Sequence, residues 1–319
     1  MKTRSYSHIG TRAKNEDSFG VSKTIFIVCD GMGGHTSGEV ASNFVVNELL
    51  KLVKNAKQEF TKDSILNLLE KVQVQLNQKL ELHPEYAKMG TTFTGLFLNK
   101  KNAFVAHIGD SRVYVARPSQ QKIWHTWDHS LVGGLMQSGE ITREKGRLHP
   151  MSNRISKAIT ANEKGKTVQP TITEFNNLQK GDLVFLCSDG VHEAWQEHEL
   201  VKLVCNTSLS VDEKISRIKT QCTKESRDNN TAILVEIEDK DAFDNGNNKE
   251  VNWIPSAYFE EDYAAFLAQQ KEETDEEELL IEPEVEETPK HFKKEKLKLS
   301  HKYIYIVLAI IIILILVFF

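Results

Sequence analysis

The sequence has few cysteines and no surplus of basic residues, and each shortage argues against a class of protein. Its 319 residues carry a formal charge of −5, so no basic surface indicates binding to nucleic acid. The four cysteines include no Cys-x-x-Cys pair, which argues against a zinc site or a disulfide framework. We expect them to be small buried side chains in a reducing compartment. Residues 1–10 contain no apolar core, so we expect no secretory signal there.

Two short apolar runs stand out, because each of them ends in an aspartate followed by glycine. Residues 25–29 lead into Asp30-Gly31, and residues 183–187 lead into Ser188-Asp189-Gly190. Such runs predict buried strands, and an ionised carboxylate at the end of a buried strand is costly unless something compensates its charge. One Asp-Gly pair usually marks only a turn. The repetition suggests two carboxylates that converge on one metal site.

The pattern of apolar residues predicts the general architecture. Residues 40–53 and the stretch that begins at Thr61 have apolar residues at helical spacing, whereas residues 93–98 and 103–108 read as a hairpin. Strands in hairpin order, with helices in pairs, are typical of antiparallel sheets covered by helices. We therefore predict the α+β class.

Acidic residues occur repeatedly in turns next to the predicted strands. Carboxylate oxygens suit hard cations such as Mg²⁺ or Mn²⁺, and two such ions can activate water for attack on a phosphoryl group. Sequence spacing alone does not bring the residues together, so scattered surface aspartates remain the alternative. The residues are Glu16, Asp17, Asp30, Asp110, Asp189 and Asp228.

Seven motifs in order resemble the type 2C (PPM) metal-dependent serine/threonine protein phosphatases of the bacterial kind. The resemblance covers residues 2–237 and implies a four-layer α-β-β-α sandwich, in which two antiparallel sheets are flanked by helix pairs. The motifs are Arg12-x-x-Asn15-Glu16-Asp17, Asp30-Gly31-Met32-Gly33-Gly34-His35, Gly90-Thr91-Thr92, Gly109-Asp110-Ser111-Arg112, Asp128-His129-Ser130-Leu131-Val132, Ser188-Asp189-Gly190 and Asp228-Asn229-Asn230-Thr231.

The resemblance also implies a role for each site residue. Asp30 would bridge two Mn²⁺ or Mg²⁺ ions, the Gly31 carbonyl would bind the second ion, and Asp189 and Asp228 would complete the first. Glu16 and Asp17 would hold metal-bound waters, Asp110 with Asp189 would hold a third, weaker ion, and Arg12 would hold the substrate phosphate. A water activated by the metals would be the nucleophile. Animal members carry a histidine where this chain has Met32, so the general acid is left open.

The composition changes after residue 240. We predict a catalytic domain at 1–240, an acidic and then basic linker at 241–302, and a single transmembrane helix at 303–319, which is apolar and uncharged. Lysines just before this helix favour the cytoplasmic side, so the catalytic domain would face the cytoplasm and the chain would be anchored in the bilayer. Residues 253–266 would either fold onto the domain, dock a partner or belong to a partly ordered linker.

Together these features predict a membrane-tethered phosphatase that acts on phosphoserine and phosphothreonine of phosphorylated proteins and opposes a serine/threonine kinase. Two alternatives stay open. One is a catalytically silent pseudophosphatase that binds or regulates phosphoproteins, and the other is an enzyme dedicated to a single phosphoprotein.

Overall fold

The computed structural model describes residues 1–33, 37–55, 59–161, 166–238 and 251–280. The strands are β1 Lys2–His8, β2 Asp17–Val21, β3 Ile25–Met32, β4 Gly90–Thr91, β5 Phe93–Leu98, β6 Ala103–Ile108, β7 Arg112–Arg117, β8 Lys122–His125, β9 Ile159–Thr160, β10 Thr171–Phe175, β11 Leu183–Cys187, β12 Asn230–Glu236 and β13 Ile254–Pro255. The α-helices are α1 Ser37–Asn55, α2 Lys62–Leu82, α3 Leu131–Gln137, α4 Arg143–Arg147, α5 Gly190–Ala194, α6 Glu197–Cys205, α7 Val211–Glu225 and α8 Ala257–Leu280.

Two antiparallel sheets form the centre of the fold. One has the strand order β1-β12-β11-β7-β8-β13, and the other has the order β10-β6-β5-β3-β4-β9, with β2 also paired to β3. The hairpin expected from residues 93–108 is confirmed, since β5 pairs with β6 in antiparallel register.

The side chains of β3 alternate between two apolar cores, and this alternation shows how the layers stack. In β3, Phe26 and Val28 enter a core between the two sheets, whereas Ile25 and Ile27 pack toward α1 and α2. Successive side chains of a strand point to opposite faces, so a strand buried on both sides reads as a continuous apolar run. A third core lies between the other sheet and α5–α7. The predicted four-layer α-β-β-α sandwich is therefore confirmed.

Local sequence fixes the start of α2. The Thr61 side chain accepts from the Ser64 amide, and the Ser64 side chain accepts from the Thr61 amide, so the two residues form a capping box. Ile65, Leu69 and Val72 then bury the same face of the helix. The predicted start near residue 61 is confirmed.

All four cysteines are free and buried, as the sequence predicts. Cys29 and Cys187 lie inside the buried strands β3 and β11. Burial raises the pKa of both thiols, so they have the character of small hydrophobic residues.

The compact unit that contains both sheets extends to Glu272. Strand β13 pairs with β8, and Phe259 and Phe266 of α8 are buried. Of the alternatives for residues 253–266, the structure shows that this segment folds onto the domain. The last part of the predicted acidic and then basic linker, residues 281–302, and the predicted transmembrane segment 303–319 lie outside the described residues. Among the helices that the structure describes, none is both long and apolar enough to cross a bilayer.

Candidate metal centre

A cavity of about 520 Å³ opens at one end of the sandwich, and we call it the carboxylate pocket. Its walls come from strand ends and loops that lie far apart in the sequence. Seven of the eight predicted site residues line it, and these are Arg12, Glu16, Asp30, Gly31, Asp110, Asp189 and Asp228. The eighth, Asp17, is only 7% exposed and pairs with Asp30 across the β2–β3 ladder.

Asp30 is held in place through its backbone. Its amide donates to Thr92 Oγ1 at 2.9 Å, and its carbonyl accepts from Thr91 Oγ1 at 2.8 Å. The Thr92 hydroxyl also forms a hydrogen bond of 2.7 Å with the hydroxyl of Ser111, the residue after Asp110. The Gly-Thr-Thr motif therefore fixes the end of β3, and Thr92 also lines the pocket.

Gly31 must be glycine because the chain passes very close to two neighbours. A Cβ at this position would lie 2.2 Å from the Gly38 carbonyl oxygen and 2.6 Å from the Glu16 carbonyl oxygen. The Gly31 amide donates to that Glu16 oxygen at 3.1 Å. This close approach brings the Glu16 loop against the end of β3.

Asp189 lies at the start of α5, directly after β11. The preceding residue, Ser188, ties this strand end to two others, because its hydroxyl donates to Asp17 Oδ2 at 2.7 Å and accepts from the Thr231 amide at 2.9 Å. Asp30 and Asp189 line the same pocket, close enough for the charge of Asp189 to raise the pKa of Asp30. The two Asp-Gly motifs thus converge, as their repetition predicts.

Asp228 is positioned by Glu193, one turn after Asp189. The Glu193 carboxylate accepts from the amides of Arg227 and Asp228 at 2.8 and 2.9 Å. Asn229 accepts from the Glu16 amide at 2.8 Å and donates to the carbonyls of Ile9 and Lys14. The loop that carries Arg12 and Glu16 is thereby fastened to the loop that carries Asp228.

Asp110 follows a glycine in a left-handed conformation. Gly109 has φ +100°, and a Cβ there would lie 2.7 Å from Thr92 Cγ2, so a larger residue would be strained. Its amide donates to His129 Nδ1 at 3.1 Å, and the His129 ring stacks on His107 at 4.4 Å. These histidines support the Asp110 turn.

Arg12 and Asp228 form an ion pair that the sequence does not predict. Arg12 Nε donates to Asp228 Oδ1 at 2.9 Å, and Nη2 donates to Oδ2 at 2.7 Å. The Arg12 side chain remains 60% exposed. The residue expected to hold phosphate is therefore bonded, in this structure, to a residue expected to hold metal.

The buried carboxyls of the pocket raise one another's pKa. Burial, followed by the neighbouring carboxylates Asp189 and Asp17, raises the pKa of Asp30 well above its ordinary value. Burial and the charge of Asp189 do the same for Asp110. Burial also raises the pKa of Asp17, to about 7. Such a concentration of like charges is stabilised by cations.

The donor set fits hard divalent ions. Oδ1 of Asp17 is buried and meets no donor at hydrogen-bonding geometry among the described residues, and an oxygen of this kind is expected to have a partner. The other candidate metal ligands are carboxylate and backbone carbonyl oxygens, which Mg²⁺ and Mn²⁺ prefer. In the described part of the chain, no three acidic, histidine or cysteine side chains already surround one point as an ion would require.

A second cavity of about 640 Å³ continues from the pocket and shares Arg12, Asp110, Asn153, Asp189 and Asp228 with it. We call it the flanking groove. Its outer wall includes Met136 of α3 and Arg143, Glu144 and Arg147 of α4. It is large enough for a segment of polypeptide beside the pocket.

Several positioning residues belong to the motifs but are not among the predicted ligands. Thr91, Thr92 and Ser188 act through hydrogen bonds of their hydroxyl groups. The sequence signal for them is the motif in which each one lies. Glu193 has no such signal, since it lies outside every motif and contacts a loop more than thirty residues away.

Comparison with known proteins agrees with this geometry. The chain matches the family described as Protein phosphatase 2C over residues 4–225. The serine/threonine phosphatase stp of Listeria welshimeri is 33% identical over 235 residues, which cover 70% of this chain and 91% of that protein. The serine/threonine protein phosphatase PstP of Mycobacterium tuberculosis is 33% identical over 194 residues, which cover 60% of this chain and 36% of that protein.

Solved structures share the fold. The crystal structure of the Mycobacterium tuberculosis phosphatase PstP/Ppp superposes with a TM-score of 0.67 at 29% identity, covering 75% of this chain and 99% of that one. A catalytic domain of PstP in complex with two manganese ions has a TM-score of 0.65 at 27% identity, covering 75% of this chain and 98% of that one.

Proposed function

Because the chain belongs to the protein phosphatase 2C family of metal-dependent serine/threonine phosphatases, we propose that its carboxylate pocket is a catalytic centre for two Mn²⁺ or Mg²⁺ ions. Asp30, the Gly31 carbonyl, Asp189 and Asp228 would hold the two ions. Asp110 would help to hold a third, weaker ion, while Glu16 and Asp17 would orient water. The observation that carries the proposal is the convergence of Asp30, Asp110 and Asp189 in one pocket beside an arginine.

The chain's own residues have distinct tasks in this reaction. When bound, divalent ions supply an activated water and neutralise charge on the phosphoryl group. Asp30 and Asp189 set the position of the reacting centre, because their backbones are anchored to strand ends. Arg12 lies at the rim of the carboxylate pocket. Its planar guanidinium can donate two parallel hydrogen bonds, and two oxygens of a phosphate dianion can accept them. The flanking groove receives the residues on either side of the phosphorylated side chain.

Replacement of Arg12 by alanine is expected to lower kcat/KM for a phosphothreonine peptide about 10- to 100-fold, the usual effect of losing a bidentate charged contact. The matched control is Arg217→Ala, which removes an exposed cation of α7 that lines neither cavity. Steady-state phosphate release by both variants measures the difference. Equal losses in the two variants would contradict a specific role for Arg12.

Metal binding tests the centre without relying on turnover. In a titration of the full chain with Mn²⁺, the free ion is measured by electron paramagnetic resonance. We expect each chain to bind two Mn²⁺ ions tightly. In Asp189→Ala, the tight binding should be lost. Unchanged binding in this variant would place the metals elsewhere.

We further propose that residues 303–319 anchor the enzyme in a membrane with the catalytic domain in the cytoplasm, near a serine/threonine kinase whose phosphorylation it reverses. The apolar, uncharged sequence and the preceding lysines support this. Deletion of residues 303–319 should leave peptide dephosphorylation unchanged and move the protein to the soluble fraction. Continued association with membranes after the deletion would rule out the anchor.

The alternative of a silent pseudophosphatase is not favoured. The relatives are named as phosphatases, and every residue that the resemblance assigns to the metals is present in this chain.

A further inference from the structure

Residues 251–266, which we call the C-terminal strap, lie beyond the family match that ends at residue 225. They are nevertheless built into the domain. Ile254 pairs with Ile123 at the edge of a sheet, the Ser256 amide donates to the Gln121 carbonyl at 2.8 Å, and Phe259 is 2% exposed in the core beside α6 and α7. A segment with these contacts is an integral part of the fold.

The strap meets α4 at Arg143. The Asp262 carboxylate accepts from the Arg143 amide at 3.0 Å, and this amide lies at the start of α4, where helical amides have no partner within the helix. The Arg143 guanidinium packs over the Phe259 ring at 4.4 Å and the Trp127 ring at 4.6 Å. The strap thus caps the N-terminus of α4 and packs against the side chain of Arg143, its first residue.

Helix α4 has only five residues, so it cannot be stable by itself. Tertiary contacts must set its position. Thr142 caps one amide of α4 from within the same loop, whereas Asp262 and Phe259 reach it from outside. Because Arg143, Glu144 and Arg147 line the flanking groove, any shift of α4 changes the shape of that groove.

We propose that the C-terminal strap is a positioning element that holds α4 and thereby shapes the wall of the flanking groove for phosphorylated polypeptide. Asp262 and Phe259 are its positioning residues. The strap acts on binding of the peptide around the phosphorylated residue and leaves the chemistry in the carboxylate pocket unchanged. This inference rests on the proposed function, because it assigns peptide substrates to the groove.

The test uses the full chain with Asp262→Ala, and Phe259→Leu as a second variant that keeps an apolar side chain. The matched control is Glu260→Gln on the same helix, which removes an exposed ion pair with Lys202. Two properties are measured for each protein. They are amide hydrogen exchange in residues 131–147, and kcat and KM for a phosphothreonine peptide and for para-nitrophenyl phosphate with Mn²⁺.

In Asp262→Ala we expect exchange in residues 131–147 to become about five-fold faster, the effect of losing a helix cap. The KM for the peptide should rise by up to about the same factor, while kcat and all constants for the small ester stay unchanged. Phe259→Leu should shift the same quantities in the same direction, and Glu260→Gln should match the wild type.

The proposal is overturned if Asp262→Ala matches Glu260→Gln in both measurements. It is also overturned if the peptide and the small ester are affected equally, because the strap would then act on the carboxylate pocket. A wild-type protein that releases no phosphate with Mn²⁺ would instead refute the proposed function. The exchange comparison would still decide whether the strap holds α4.

Discussion

Replacement of Asp30 by asparagine is expected to lower phosphate release about 1,000-fold or more while the protein stays folded. Asp30 is partly buried in the same pocket as Asp189, and burial together with the charges of Asp189 and Asp17 raises its pKa. Asparagine keeps the shape but removes the charge that would bind both ions. Without metal, the variant should be as stable as the wild type or more stable, because one member of a set of mutually repelling carboxylates is gone.

Thermal unfolding with and without Mn²⁺ measures both parts of this expectation. A ligand at 100 times its Kd stabilises the folded state by about 2.7 kcal/mol, so the wild type should gain stability from Mn²⁺ and Asp30→Asn should gain little. The control is Asp212→Asn, an exposed carboxylate that pairs with Lys2 and Arg4 far from the pocket. Loss of folding in Asp30→Asn would make Asp30 a structural residue instead.

Replacement of Glu197 by alanine is expected to destabilise the protein by about 3–5 kcal/mol. It leaves the largely buried Arg143 guanidinium without its carboxylate partner, and it leaves Arg112 with Asp128 alone. Glu197 Oε1 accepts from the Tyr114 hydroxyl at 2.6 Å and from Arg112 at 3.2 Å. Its Oε2 accepts from Arg143 at 3.0 Å. The network joins the sandwich to α4, so its loss affects the core and the flanking groove together.

The melting temperature should fall by about 6–20 °C, at about 2–4 °C per kcal/mol for a domain of this size. Glu197→Gln retains an acceptor for Tyr114 and should lie between the alanine variant and the wild type. Glu199→Ala, on the exposed side of the same helix, should change the stability by less than about 0.5 kcal/mol. A Glu197→Ala protein as stable as Glu199→Ala would show that the network does not support the fold.

The contribution of Glu197 also has a defined pH dependence. Burial alone would raise its pKa, but the charges of Arg143 and Arg112 hold the pKa well below its ordinary value. A group with a depressed folded pKa stabilises the protein above its unfolded pKa, which is about 4.3 for glutamate. This stabilisation is lost as the pH falls through the folded pKa. The difference in stability between wild type and Glu197→Ala should therefore be constant at neutral pH and shrink in acid.

Much of the fold follows from local patterns in the sequence. The apolar run of β3, the capping residues of α2 and the hairpin of β5 and β6 each depend on neighbouring residues. The convergence of Asp30 and Asp189 is also predictable, because two motifs of the same design end two buried strands. The roles of the individual metal ligands stay predictions that rest on the family.

Other features depend on contacts that no local pattern encodes. Arg12 and Asp228 are separated by 216 positions, and the loops that carry them meet where Asn229 bonds to the backbone of Ile9 and Lys14. Residues 253–266 gave no clear prediction, because their aromatic residues find partners on α4 and α6 only in the folded chain. The five-residue helix α4 is not predicted for the same reason, since its contacts with Asp262, Phe259 and Glu197 exist only in the folded chain.

Phosphate release from a phosphothreonine peptide, measured with Mn²⁺ and again with a chelator, tests the central claim most directly. The carboxylate pocket predicts release with Mn²⁺, none with the chelator, recovery when the ion is restored, and none in Asp189→Ala at any Mn²⁺ concentration. Release that persists in the chelator, or in Asp189→Ala, would contradict a metal-dependent centre at this pocket.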